Sequence, residues 1–205
     1  PTLPATAARG AAPSRIVSRR TAVNSCCLPD GTCLRAGSLQ HRYVHTPYAS
    51  RVQKRSARLE GPEAALVLSS GMGATACAML ALLRPGDHLI SSSWIYGGTR
   101  KLFTEDLTGM GIEVTFVNPL EPRAWRKGLK KNTRVIFLES PVNPTCRVME
   151  LSSLQSLAHA QGIALVVDST FASPVDFSTV EHGVAVVITS APTYLNGTHG
   201  IIAGV

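Results

Sequence analysis

The chain has 205 residues, of which 44% are hydrophobic, with a formal net charge of +7. That length suits one domain of ordinary size, and no apolar run reaches the ~18 residues of a membrane-spanning helix. Residues 1–58 hold ten Lys or Arg against Asp30 alone, whereas residues 59–205 hold ten against twelve acids, so the basic excess does not make the body a nucleic-acid binder.

Residues 1–42 are a basic tail rich in Ala, Arg, Pro, Ser and Gly, without apolar period, and are expected to be largely disordered. The tail reads as a linker or non-native extension, with the body cytoplasmic; the alternative, from four arginines and no acid before Asp30, is an organelle transit peptide. Residues 43–60 read as an N-terminal arm and 61–205 as the folded domain. There, apolar runs alternate with helical ones: a strand over 64–68, a helix over 74–83, a strand over 88–91, a helix near 99–107. Then come a strand over 112–117, a helix near 123–130, a strand over 135–138 and a helix over 151–161. Strands over 163–167 and 184–188 follow, and 201–205 begins another. The run Ala164-Leu165-Val166-Val167 is apolar on both faces, as a sheet covered on both sides requires. The expected architecture is α/β, with a mainly parallel sheet, helices on both faces, and ligands beyond the carboxyl ends of the strands.

The five cysteines, Cys26, Cys27, Cys33, Cys77 and Cys146, form no Cys-x-x-Cys pair and meet no histidine at ligand spacing, so no metal site is expected. Cys77, among Ala and Met, reads as buried packing, and the set reads as free thiols in a reducing compartment. Gly71-x-Gly73 lacks the third glycine of a dinucleotide fingerprint, and there is no Walker Gly-Lys-Ser/Thr.

The chemistry should therefore sit on strand ends. Ser69-Ser70-Gly71-Met72-Gly73 leads into a helix with small residues that let amides approach a phosphate, or it is an ordinary glycine turn. Tyr96, before Gly97-Gly98, can stack on a flat ring or simply pack. Asn143 in Asn143-Pro144 is held extended toward a ligand, or it marks a turn. Asp168 ends a doubly buried strand and needs a partner, for which a protonated pyridine nitrogen would serve; a turn cap is the alternative. Ser190 can donate to a phosphate oxygen or close a local turn.

In combination, Leu83-Arg84-Pro85-Gly86-Asp87-His88, Tyr96-Gly97-Gly98-Thr99, residues 139–145, residues 167–175 and Tyr194-Leu195-Asn196-Gly197 resemble the Cys/Met-metabolism family of pyridoxal-phosphate (PLP) dependent enzymes. This transsulfuration group includes cystathionine γ-synthase, cystathionine lyases and O-acylhomoserine sulfhydrylases. The likeness runs from about Tyr43 to Val205, the N-terminal half of such an enzyme. It implies the large domain of the aspartate-aminotransferase type (fold type I), assembled as a homodimer or homotetramer and acting on a small amino-acid substrate. It implies PLP as cofactor, its phosphate on the Gly71 and Met72 backbone and Ser190. Tyr96 would lie on the ring, Asn143 at its phenolic oxygen and Asp168 at its nitrogen.

The same resemblance exposes departures. Where the family reads Ser-Ala-Thr-Lys-Tyr, this chain reads Ser190-Ala191-Pro192-Thr193-Tyr194, so Thr193 stands at the Schiff-base lysine. The last lysine of the sequence is Lys131. A hydroxyl forms no imine and is a poor base, and general acid–base transfer alone is commonly worth about 10²–10⁴ in rate. Pro192 removes a backbone donor near the phosphate. Thr198-His199-Gly200 departs from the family's His-x-Asp, and His45-Thr46-Pro47 lacks the arginine of its Tyr-x-Arg. The helix before Leu59-Glu60-Gly61 is about one turn short. The chain also stops before the small domain carrying the family's carboxylate-binding arginine. The resulting expectation is a transsulfuration-type enzyme by descent with an impaired site. The alternative is a non-catalytic PLP-binding pseudoenzyme or a decayed gene product.

Overall fold

The computed structural model describes residues 25–27, 33–35, 47–61, 64–172, 182–194 and 201–205. The expectations for residues 1–24, His45-Thr46 and Thr198-His199-Gly200 lie outside the described residues. The chain divides into two compact units, Pro1–Tyr43 and Val44–Val205. In the first, β1 (Ser25–Cys27) and β2 (Cys33–Arg35) pair antiparallel with Cys27 opposite Cys33. A short ladder thus interrupts a stretch expected to lack order. The missed signal is Pro29-Asp30-Gly31, strong turn chemistry between two apolar runs.

The second unit begins with α1 (Pro47–Glu60), whose first residue is a proline, with φ pre-set for the first helical turn. It continues through α2 (Gly71–Leu82), β3 (His88–Ser92) and α3 (Gly97–Lys101), which runs on into a π-helical segment, Leu102–Leu107. After these come β4 (Glu113–Val117), α4 (Pro122–Gly128), β5 (Thr133–Glu139), α5 (Ser152–Gln161), β6 (Ala164–Asp168) and β7 (Val186–Ile188). The sheet order is β4-β3-β5-β6-β7, and every neighbouring pair is parallel. The chain leaves β3 for the edge strand β4 and returns to β5 on the other side of β3. The switch in strand order therefore falls between β3 and β5, where open sheets of this kind bind ligands.

The period-two alternation of the strands sorts the core into two layers. Ile90, Ile136, Leu138, Leu165 and Val167 face one side, where they meet Trp125 of α4 with Leu154 and Ala158 of α5. Leu89, Val135, Phe137 and Val166 face the other, against Ala74 and Met79 of α2 with Phe103 and Leu107. This is why β5 and β6 read as unbroken apolar runs. At the amino ends of the strands, buried His88 bridges three of them: Nδ1 lies 2.7 Å from Thr133 Oγ1 and Nε2 lies 2.9 Å from Thr115 Oγ1. Burial first, then nearby Lys130, lowers its pKa, so the ring is held neutral as a brace on the side away from the strands' carboxyl ends.

Two expected strands are not strands. Residues 64–68 and 201–205 contribute only isolated antiparallel bridges, Leu68 to Gly204 and Ser190 to Gly204. Gly204 exchanges backbone hydrogen bonds with Leu68 in both directions, at 2.7 and 3.0 Å, while Val205 does the same with Thr189. Apolar composition alone could not reveal that these runs pair through isolated bridges and not through a continuous ladder. Cys77 is exposed, not buried. Helix α2 is apolar all round, and its buried residues Ala74, Thr75 and Met79 lie on the face away from Cys77 and the exposed Leu80. Among the described residues, no helix is long and apolar enough to cross a membrane and no His/Cys/Asp/Glu group could hold a metal ion.

Phe103 and Phe137 meet edge to face, ring centres 5.0 Å apart, both fully buried. Phe137→Ala is expected to destabilise the unit by about 3–5 kcal/mol in urea unfolding. A double-mutant cycle with Phe103→Ala should return a coupling of about 0.5–1.5 kcal/mol; additive single losses would show that the ring pair contributes only area.

Candidate functional site

The carboxyl ends of β3, β5, β6 and β7, with the start of α2, enclose one cavity of about 330 Å³. Gly71, Met72, Tyr96, Asn143, Asp168 and Ser190 all line it, together with Pro192 and Thr193. The six residues expected on strand ends are thus gathered at one place.

The α2 end is shaped by Ser70. In extended conformation, its side chain accepts the Gly73 amide at 3.0 Å and caps the helix. The amides of Gly71 and Met72 precede any intrahelical acceptor and have no acceptor among the described residues, at a helix end that favours negative charge. Gly71 is required by its neighbour: a Cβ there would lie 2.7 Å from both Cβ and Oγ of Ser190. That close approach brings the Ser190 hydroxyl beside the helix start.

Asp168 is set by Thr170, which sequence reasoning did not single out. Both the amide (3.0 Å) and the hydroxyl (2.6 Å) of Thr170 donate to Asp168 Oδ1, and the Ser190 amide donates to Thr170 Oγ1 at 2.9 Å. One threonine therefore ties the end of β6 to the turn after β7. Oδ2 of Asp168, on a residue that lines the cavity, has no hydrogen-bond partner among the described residues. Burial raises the Asp168 pKa, opposed by the two Thr170 bonds.

Glu139 was also missed. It is 4% exposed, and each carboxylate oxygen accepts a backbone amide, Oε1 from Asn143 and Oε2 from Tyr96, both at 2.7 Å. It pairs in register with Asp168 on the adjacent strand. One side chain thus holds the loop after β3 to the loop after β5. The Arg147 guanidinium, 5.1 Å from the centre of the Trp94 ring, makes a second tie between the same loops. The loop after β5 contains two cis peptides, Ser140–Pro141 and Asn143–Pro144, and is anchored by the Met149 amide donating to buried Ser140 Oγ at 3.0 Å. Tyr96 is 53% exposed, its ring lying where a Cβ on Gly98 would come within 2.6 Å of Cε1. Phe171 and Ile202 complete the apolar lining, with Phe171 edge-on to Tyr194 at 5.8 Å. No described lining residue is Lys, Arg or His.

Desolvation, with the Asp168 charge as a smaller contribution, pushes the Glu139 carboxyl up to about 7 against the two amide bonds. The folded state therefore binds more protons than the unfolded chain between about pH 4.5 and 7, and stability falls as pH rises through that window. Glu139→Gln should remove that slope, up to about 1.4 kcal/mol per pH unit for one proton. At low pH it should cost roughly 1–3 kcal/mol, because its NH₂ cannot accept from the second amide. His88, with its lowered pKa, has the opposite sign, so the check is the difference between wild-type and variant stability curves. Parallel curves across pH 4.5–7 would show that Glu139 ionises normally.

Residues 18–205 match the family described as Cys/Met metabolism PLP-dependent enzyme. The chain is 39% identical over 167 residues to an L-methionine gamma-lyase of Fusobacterium nucleatum subsp. nucleatum, a match covering 79% of this chain and 42% of that protein. It is 36% identical over 165 residues to a probable cystathionine gamma-synthase of Herpetosiphon aurantiacus, covering 80% and 51%. The crystal structure of a putative O-acetylhomoserine (thiol)-lyase from Campylobacter jejuni superposes with a TM-score of 0.77 at 27% identity. That match covers 84% of this chain and 41% of that one, whose structure carries an N′-pyridoxyl-lysine-5′-monophosphate. The chain spans about half the length of the relatives it matches. With the fold-type-I large-domain architecture, these matches show that the chain belongs to the Cys/Met-metabolism family of PLP-dependent enzymes.

Proposed function

We propose that the cavity binds pyridoxal 5′-phosphate without a covalent link, and that this chain turns over little or no substrate. The observation that carries the proposal is Thr193 lining the cavity beside Asp168, in a wall whose described residues include no amine. When bound, the cofactor supplies an electron sink for bonds at an amino acid's α carbon.

The residues present fit the ring and phosphate ends of that group. The close Gly71–Ser190 approach and the open first-turn amides form a cradle for an anion. Oδ2 of Asp168, without a partner among the described residues, would accept a hydrogen bond from the protonated ring nitrogen, and the Tyr96 ring would flank the pyridine. The Asn143 side chain, on the loop that Glu139 fixes, would face the phenolic oxygen. Chemistry is what the lining does not supply. Thr193 offers a hydroxyl where proton transfer needs a group that titrates near neutrality, and Pro192 offers no amide donor.

The ancestral reaction class is elimination or replacement at the β or γ carbon of a sulfur amino acid or an O-acylhomoserine, in a cytoplasmic homodimer or homotetramer. The relatives named L-methionine gamma-lyase and cystathionine gamma-synthase support that class. Retained binding residues without the amine favour a non-catalytic pseudoenzyme or decayed copy over a working one.

Pyridoxal phosphate should quench intrinsic fluorescence saturably and dialyse away, leaving no stoichiometric pyridoxyl group after borohydride. Asp168→Asn should weaken that binding roughly tenfold, the scale of one charged hydrogen bond. Combining Thr193→Lys with Pro192→Thr should give a borohydride-fixed group mapped by mass spectrometry to position 193. A stoichiometric fixed group on the unaltered chain would refute the proposal.

A further inference from the structure

Helix α1 turns the wrong side outward for an ordinary surface helix. Gln53, Ser56 and Ala57 are half-buried, whereas Arg51, Val52, Lys54, Arg55, Arg58 and Leu59 are exposed. At about 100° per residue the three half-buried positions share one side, so the small and polar side is the one that is covered. A helix that only decorates a surface buries an apolar stripe and turns its polar side to water. Here Val52 and Leu59, seven residues apart on one side, are 48% and 60% exposed. Beside them Arg51, Lys54, Arg55 and Arg58 follow the spacing i, i+3, i+4, i+7, which sets all four on one face about 10 Å long.

This face has no counter-charge of its own. Helix α1 contains no acid before its last residue, Glu60, and none of the four cations meets an acid among the described residues. Like charges three or four residues apart destabilise a helix, and Arg51–Lys54, Arg51–Arg55, Lys54–Arg58 and Arg55–Arg58 are all such pairs. An anionic plane laid against the face relieves every one of them. A second copy at a two-fold contact does not, because the cations would meet their own image. Nucleic acid would take the charges but leaves Val52 and Leu59 unused, and none of the exposed residues at 51–59 is aromatic for base stacking. A bilayer uses both strips: acidic headgroups meet the cations, and the aliphatic side chains enter the acyl boundary beside the Arg and Lys stems.

We propose that α1 is a docking face for a membrane surface rich in acidic phospholipid, on which the helix lies flat. Arg51, Lys54, Arg55 and Arg58 sit at headgroup level, and Val52 and Leu59 reach just below it. Binding is peripheral and reversible, driven mainly by charge. It is independent of what the cavity holds.

The test is co-sedimentation of the full chain with vesicles of phosphatidylcholine alone and of phosphatidylcholine mixed with phosphatidylserine. The chain should bind the mixed vesicles, ignore the neutral ones, and be released by salt near ~1 M, where charge is screened within about 3 Å. Arg51→Gln, Lys54→Gln, Arg55→Gln and Arg58→Gln should each weaken partitioning by about fivefold, the scale of one cation at an anionic surface. Val52→Ser with Leu59→Ser keeps every charge and should still cost about tenfold. Neutralising Arg9, Arg15, Arg19 and Arg20 to Gln makes the same change of charge in the tail and should weaken binding far less. Equal losses from the tail and from α1 would overturn the inference, as would no preference for the mixed vesicles. Binding to duplex DNA at the same salt that is as tight as to vesicles, and indifferent to Val52→Ser with Leu59→Ser, would make the partner nucleic acid and overturn it too. Should a multiple variant not fold, Arg55→Gln and the two vesicle types on the unaltered chain still decide.

Discussion

A parallel sheet brings the carboxyl ends of all its strands to one edge, and loops gathered there need something to keep them together. In this chain Glu139 supplies that constraint between β3 and β5 by accepting the Tyr96 and Asn143 amides, one on each oxygen. The geometry requires a forked acceptor: a hydroxyl or amide side chain offers one accepting oxygen, a carboxylate two. The environment that makes it effective also makes it costly, because a buried charge beside Asp168 is disfavoured, and its raised pKa records that cost.

Thr170 plays the corresponding part between β6 and β7, donating twice to Asp168 and accepting once from the Ser190 amide. Glycine at 71 then lets the turn after β7 press against the start of α2. The cavity is thus closed by short polar contacts from β3 to β7 and by the close approach of Ser190 to Gly71 at the start of α2. Each contact joins the end of one element to the end of the next. Below it the two apolar layers supply cohesion without direction, and at the far end the Thr133–His88–Thr115 bridge fixes three strands against sliding.

The strand ends were legible in the sequence because a covered parallel strand is apolar on both faces until it emerges at its carboxyl end. A run of that kind that stops at a polar residue or a glycine turn marks the place where the chain leaves the sheet. All six expected site residues reached one cavity for that reason. Glu139 and Thr170 were not legible as holders. Their partners include backbone amides, which leave no trace in side-chain pattern, and the pairing depends on strand order that no local window contains. The 64–68 and 201–205 runs failed in the opposite way. Their composition is strand-like, but their pairing is confined to isolated antiparallel bridges at Leu68, Gly204 and Ser190 and a few backbone hydrogen bonds beside them. The Phe103 region was expected as a helix, and it is one, but its π-helical winding had no signal in the apolar spacing.

The two acids in the cavity differ in what their presence says about chemistry. Both oxygens of Glu139 are engaged by loop backbone, so the fold alone accounts for it. Asp168 is divided: Oδ1 is committed to Thr170, and Oδ2 has no partner among the described residues. An asparagine could serve the first oxygen and avoid burying a charge, so the fold does not explain why the second is a carboxylate oxygen. That one atom is what a ligand cation would answer. The same division separates cofactor binding from turnover in this chain. Binding depends on atoms that the loops hold in place, and turnover depends on an amine that Thr193 does not provide.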